Sequence, residues 1–310
     1  MGFKINSKNF VPEGEPSVPE MADFCEIKAL LDGHGYSLVS LQSALGISGD
    51  DELNQENGDD DSHFLQVEEV LREIDDRLLN SANNYPFQAS RFGLDINPNC
   101  DRSVKEVYTF LLLATRVNMN QMKVQDGINA TDVFERLSAV IIQHYWGDSA
   151  QAFVIGTGAD ENHFKNKVEQ AIEQIGEPGT QFRWPDGSTK QEKDGNVDVI
   201  AFIPFADNRK GRFIAMGQCK TGTNWRSSIS ENIPKAFVDD YISPPFTFSP
   251  VPLFFVAESF YDNWETLQRY STGILFDRCR LMQYLPQSIE QNLIQDITQW
   301  NQSIFDILAP

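Results

Sequence analysis

From about residue 130 onward, the apolar residues of this chain switch repeatedly between a period near 3.6 and a period of 2. That alternation constrains the fold more than any other feature. Helices and strands that take turns along a chain bury their apolar faces by layering helices on a sheet. A helix opens at Asp132 and places Phe134, Leu137, Ile141 and Tyr145 on one face. Residues 150–157 read as a strand and 164–177 as a helix. Residues 197–203 and 212–219 read as two β runs joined by a turn-rich, hairpin-type linker. A helix is expected after Trp225, a strand within 246–260, a helix near 264–270, a strand over 273–284 and a closing helix over 289–308. The predicted class is α/β (α+β), with a mixed β-sheet flanked by helices.

The first 124 residues are patterned differently. Residues 1–19 carry Pro and Gly without a period and read as an arm. Met21, Phe24, Ile27 and Leu30 recur at helical spacing, as do the apolar residues of 65–79. A turn-rich patch then precedes a strongly apolar segment at 107–115. Residues 1–124 are therefore expected to form a mostly helical N-terminal region, and 125–310 a second unit. Within the first, residues 48–62 hold seven Asp/Glu among fifteen. That run reads as a solvated acidic loop, or alternatively as a strip that mimics DNA.

Charge narrows the function classes. Asp+Glu number 45 against 25 Lys+Arg, for a net charge of −20. A chain this acidic repels polyanions at long range, which argues against a general nucleic-acid coating protein. The acidity is uneven, however: residues 183–235 hold nine Lys/Arg and six Asp/Glu, so an anionic substrate is expected there. No apolar run approaches the roughly 18 residues that cross a bilayer. The N-terminus has no apolar stretch of signal-peptide type. A soluble, cytoplasmic chain with no membrane association is expected. Cys25, Cys100, Cys219 and Cys279 lie far apart with no Cys-x-x-Cys, which excludes a zinc finger and predicts reduced thiols.

Two runs carry candidate chemistry. Asp198 interrupts the apolar strand of 197–203, Gln218 interrupts that of 212–219, and Lys220 follows directly on it. Burying such groups without partners is costly, so they need a reason. Alternation puts Gln218 and Lys220 on one face of their strand and Cys219 on the other. A turn centred on residue 208 sets Asp198 opposite Gln218, and one centred on 209 sets it opposite Lys220. Either register gathers a carboxylate, an amide and an ammonium, although a lone buried Asp–Lys pair would show the same pattern. Such a trio suits metal-dependent phosphodiester hydrolysis. Asp198 and the Cys219 backbone carbonyl offer oxygen to Mg²⁺ (or Mn²⁺), Gln218 offers a neutral carbonyl oxygen, and Lys220 positions water or stabilises charge.

Asp198, nineteen intervening residues and Gln218-Cys219-Lys220 together resemble the Asp…(Glu/Gln)-x-Lys signature of the PD-(D/E)xK nuclease superfamily. They are most similar to its Mrr-like restriction endonuclease branch. Phe134-Glu135 resembles that branch's upstream helical Phe-Glu pair, whose glutamate completes the metal site. Asp194-Gly195-Asn196-Val197-Asp198 resembles its Asp-Gly-Gly-x-Asp run, with Asn196 in place of the second Gly. The match covers residues 130–225, and the strand-and-helix segment of about 150–180 departs from it. The resemblance implies a restriction-endonuclease-like core, double-stranded DNA as substrate and a role in bacterial defence. A regulatory or activating protein partner and a homo-oligomer are further expectations. Alternatives from another class are a catalytically silent interaction subunit and an acidic DNA-mimic protein.

Smaller features have paired readings. Glu135, three residues after Asp132, is also placed for a helix-capping arrangement. Arg209, Lys210 and Arg212 contact phosphate or form an ordinary basic hairpin tip. Thr221, Asn224, Trp225 and Arg226 track a nucleic-acid backbone or stack on a base, while Trp225 alternatively packs in the core. Gly156-Thr157-Gly158 reads as an ordinary turn, and Asp194 as a supporting acid.

Overall fold

The computed structural model describes residues 4–5, 16–37, 39–40, 43, 60–90, 93–156, 161–185, 196–207, 209–261 and 263–308, with 60–66 and 161–163 as backbone only. Much of the 48–62 acidic run, Thr157-Gly158, Asp194 and Asn208 lie outside the described residues.

The N-terminal helix α1 (Val18–Asp32) starts with a capping box, in which Ser17 and Glu20 satisfy each other's ends, and stops at Gly33 in the left-handed region (φ 72°). It packs on α2 (Asp60–Asn80). Beside them, β1 (Tyr36–Ser37), β2 (Phe87–Ser90) and β3 (Gly93–Ile96) form a small antiparallel sheet in the order β1-β3-β2. The hairpin of β2 and β3 occupies the patch that the sequence marks only as turn-rich. Every residue of α3 (Arg102–Arg116) from Val107 on is buried, so the apolar segment is a helix surrounded on all sides. A single turn, α4 (Met119–Met122), and a two-residue hairpin of β4 (Val124–Gln125) and β5 (Ile128–Asn129) lead to α5 (Ala130–Trp146).

The main sheet contains β6 (Gln151–Val154), β8 (Val199–Ile203), β9 (Phe213–Lys220), β11 (Val251–Val256) and β12 (Ile274–Phe276), in the order β12-β11-β9-β8-β6. β6, β8 and β9 run antiparallel, whereas β9, β11 and β12 run parallel. The fold is thus mixed helix and sheet, with a mixed five-stranded sheet at its centre. Val199, Ala201, Ala215, Leu253 and Phe255 share one apolar cluster with Phe134, Leu137 and Ile141 of α5. Ile200, Phe202 and Met216 face a second cluster with α6 (Glu161–Ile175) and α7 (Pro234–Tyr241). A further pair, β7 (Gln181–Phe182) with β10 (Ile242–Ser243), joins the ends of those two helices.

Pro252 lies in β11, a strand paired on both sides, where it has no N–H to give. The Asn232 amide donates to Met216 O at 3.2 Å and Leu253 O at 2.7 Å, tying β9 to β11 there. The helix expected after Trp225 is α7, reached through a 3-10 turn (Asn224–Ser227) in which Trp225 itself sits. One expected element differs. The strand expected over 273–284 stops at Phe276. Asp277 then caps α9 (Arg278–Gln283), because its Oδ1 accepts from the Arg280 N–H at 3.0 Å. α8 (Trp264–Tyr270) and α10 (Gln291–Leu308) match the expected helices.

The main hydrophobic cluster does not divide near residue 124. It runs from Ile5 through α1 and α3 to Leu308. Phe110 of α3 meets Trp300 of α10 edge-on, with centroids 5.3 Å apart. The four cysteines are free thiols. Among the described residues, no helix is long and apolar enough to cross a membrane.

Candidate functional site

Pairing of Val199 with Gly217 selects the register that sets Asp198 beside Gln218. The ladder ends there in an unusual way. The Cys219 N–H donates at 2.7 Å to Asp198 Oδ2, a side chain taking the place of a strand carbonyl. Asp198 is itself pinned by its main chain: its N–H donates to Gly217 O and its carbonyl accepts from the Ile155 N–H, both at 2.8 Å. The carboxylate therefore sits in the seam where β8 and β9 part. In an extended strand a residue's N–H and C=O face the same neighbour. The Cys219 carbonyl is thus directed into that seam as well.

Glu135 reaches the same neighbourhood from α5. The helix is capped by Asn129, whose Oδ1 accepts from the Thr131 N–H at 3.1 Å. This leaves Glu135 in the helix body, so the capping arrangement with Asp132 is not what forms. Glu135 is buried, and its Oε2 lies 2.2 Å from where a Cβ on Gly156 would stand. Gly156 (φ +32°) leaves that space open just after β6. Burial pushes the Cys219 thiol well above its ordinary range, and the Asp198 and Glu135 carboxylates push it further. Both carboxylates therefore lie within electrostatic reach of Cys219.

Gln218 and Lys220 lie on the other face of β9 by strand alternation. Phe254, beside Gln218 in the register, belongs to a separate cluster with Trp225 and Phe260, whereas Phe255, beside Cys219, packs with the α5 side. Gln218 is buried, and its Oε1 has no hydrogen-bond partner among the described residues. Half-buried Lys220 ends the strand, its carbonyl accepting from the Ala257 N–H at 3.3 Å. The structure thus joins Glu135, Asp198 and Cys219 closely and adds Lys220 at the seam's open end.

The donor set is two carboxylates and a backbone carbonyl, all hard oxygen. Mg²⁺ takes such donors and keeps several waters of its own. Among the described residues, no group of three or more His, Cys, Asp or Glu is placed to hold a metal. A zinc-type cage is accordingly not what these residues build, but a hydrated hard cation matches them.

The residues after Lys220 divide in two. Thr221 is half-buried and Asn224 exposed. Trp225 is core, only 2% exposed, with its Nε1–H on Glu258 at 2.6 Å. Arg226 is held over the Trp225 ring at 4.5 Å and donates to Glu258 at 2.6 Å, so its guanidinium is already partnered. On the hairpin, Arg209 and Lys210 are exposed, but Arg212 is buried and donates to Asp207 O at 2.6 Å, which takes it out of reach of a phosphate. Sequence reasoning passed over Glu258 and read Gly156 only as part of an ordinary turn. A glutamate just past an apolar strand and a glycine just past another are the only signals they leave. Comparison with family models, curated proteins and solved structures finds no match to this chain.

Proposed function

We propose that this chain is a metal-dependent endonuclease of the PD-(D/E)xK type, with a restriction-endonuclease-like core and DNA as its substrate. One observation carries the reading: the Asp198 carboxylate is built into the backbone ladder beside Cys219, with buried Glu135 next to it and Lys220 one residue on. A structural ion pair needs no second buried carboxylate at the same strand end. Glu135, Asp198 and the Cys219 carbonyl would hold Mg²⁺ or Mn²⁺, which when bound polarises the scissile phosphate. Asp198 is clamped by three backbone bonds, which hold its carboxylate in place without reorganisation. Lys220 orients the attacking water and offsets charge gathering on the phosphate. Thr221, Asn224, Arg209 and Lys210 are the open groups that would position a phosphate backbone. A protein partner or second copy would supply the DNA affinity that a net charge of −20 withholds.

The test is cleavage of plasmid DNA with Mg²⁺, beside an EDTA control and folded Asp198→Asn and Lys220→Ala variants. The expected result is metal-dependent nicking that each variant lowers by ~10²-fold or more. Cleavage unaffected by either variant, or none from wild type in buffer or in extract of its host cell, would overturn the reading.

A further inference from the structure

The hairpin that joins β8 to β9 carries a set of side chains that the core does not use. Phe213, where the hairpin enters β9, lies six residues before Cys219, so the turn is about 20 Å from the Asp198 seam at the usual rise of a strand. Two phenylalanine rings stand in solvent there. Phe205 is 58% exposed, with the buried Arg212 guanidinium 5.3 Å from its ring centroid. Phe248 is 63% exposed, its Cε2 3.4 Å from where a Cβ on Gly211 would stand. Scattered exposed apolar residues are ordinary, but two rings from separate segments set against adjacent residues of one turn form a surface.

That surface is fastened from below. Buried Glu177 accepts from the Gly211, Arg212 and Thr247 N–H groups at 2.8, 3.0 and 3.0 Å, which ties the Phe248 segment to the hairpin. Arg212 donates to Asp207 O at 2.6 Å and draws the turn back over itself. Rings carried on segments held in this way lose little freedom when a ligand arrives.

The charges beside the rings select the ligand. The Arg209 side chain is 85% exposed and meets Asp207 only at 3.9 Å, a contact that solvent screens. Lys210 is exposed and makes no ion pair among the described residues. The 244–250 segment that carries Phe248 holds no charge of either sign. Two open cations beside two open rings suit a strand in which phosphates and bases recur together. A duplex hides its base faces in the stack and must be unstacked to offer them, whereas an unpaired strand presents them directly. A bilayer suits the turn less well, because Asp207, Arg209 and Lys210 occupy it where an apolar residue would have to lead.

We propose that this end of the β8–β9 hairpin holds an unpaired segment of the DNA substrate, its bases stacked on Phe205 and Phe248 and its phosphates paired with Arg209 and Lys210. The inference deepens the nuclease reading, from which it takes DNA as the ligand. At 3.4 Å of axis per phosphate of one strand, the held segment lies about six nucleotides from the cut.

The experiment is fluorescence anisotropy of a labelled twenty-nucleotide DNA single strand, and of the same sequence as a duplex, titrated with the full chain in EDTA. Vesicles of phosphatidylserine and phosphatidylcholine in equal parts form a separate arm. Phe205→Ala, Phe248→Ala and the paired Arg209→Ala, Lys210→Ala variant, all at exposed positions, are compared after circular dichroism confirms their fold. The single strand is expected to bind more tightly than the duplex, and each Phe variant to weaken it by about five-fold or more. The paired variant is expected to reduce the slope of log affinity against log salt by about 1.4, or ~0.7 for each phosphate lost. No binding of the single strand, a duplex bound as tightly, variants without effect, or vesicle binding lost in the same variants in place of strand binding overturns the proposal. Plasmid cleavage with Mg²⁺ is scored separately. A chain that binds as expected but does not cut loses the nuclease reading alone, and one that cuts while these variants change nothing loses the hairpin surface alone.

Discussion

Gly156 shows how one residue sets the candidate site. Any side chain there puts a Cβ 2.2 Å from Glu135 Oε2, at a backbone φ of +32°. Gly156→Ala is therefore expected to cost about 1–3 kcal/mol and to move the Glu135 carboxylate. Thermal melts read the first effect, and a lost dependence on Mg²⁺ reads the second. An alanine variant with wild-type stability and metal response would mean that Glu135 does not rest against Gly156. Asp198 was legible in the sequence because a carboxylate that interrupts an apolar strand is conspicuous, whereas Glu135 stood out only through the resemblance of Phe134-Glu135 to an upstream Phe-Glu pair. Gly156 was not, because a glycine after a strand looks the same whether it merely turns the chain or makes room for a carboxylate.

At the scale of elements, Glu177 does the work of a fastener just past the end of α6. Its Oε1 accepts from the Gly211 and Arg212 N–H groups at 2.8 and 3.0 Å, and its Oε2 from the Thr247 N–H at 3.0 Å. Burial alone would raise its pKa, but these backbone donors together hold it below the ordinary value of 4.5. Because the folded value is the lower one, the stabilisation is complete above pH 4.5 and is lost as pH falls through the folded value. Glu177→Gln should destabilise the chain at pH 7 by about 1–3 kcal/mol and shrink the stability lost between neutral and acid pH. Denaturant titrations at pH 7 and pH 4 check this: an equal loss in wild type and variant would count against it. Glu177 was invisible in the sequence because its partners are backbone groups 34 to 70 residues away. Asp277 was missed for a different reason: the apolar pattern of 273–284 suggested a strand, but a local bond from the Arg280 N–H to its side chain ended it.

Across the whole molecule, the helical N-terminal region and the sheet are locked together by buried charge. Asp23 of α1 accepts from Arg77 of α2, Arg116 of α3 and Arg278 of α9, each at 2.7 Å. Burial would push this carboxyl up, but Arg278, Arg116 and Arg77 hold it far below the usual carboxylate range. Glu26 beside it accepts from Arg77, Tyr85 and Tyr108. A buried pair gains little over an apolar one, but removing one partner strands the others. Asp23→Asn is expected to cost about 3–5 kcal/mol and to lower the melting temperature of the entire chain. Because the apolar cluster also runs unbroken from Ile5 to Leu308, wild type should melt in one calorimetric transition. Two separable transitions, with only one moved by the variant, would show that the regions fold independently.

The sequence by itself determined the element types that periodicity encodes: the helices of α1, α2, α5, α6, α8 and α10, and the strands of the sheet up to β11. It also marked the residues whose polarity is out of place in a strand, Asp198, Gln218 and Lys220. Both are local properties, readable because neighbours in sequence stay neighbours in a helix or strand. The tertiary structure decided the rest. It chose the register that sets Asp198 against the Cys219 N–H, and it took Arg226 and Arg212 for internal bonds. It also buried Asp277 as the cap of α9 and joined four helices on Asp23. Those outcomes depend on which distant backbone or guanidinium arrives at a given carboxylate, and long-range packing alone settles that.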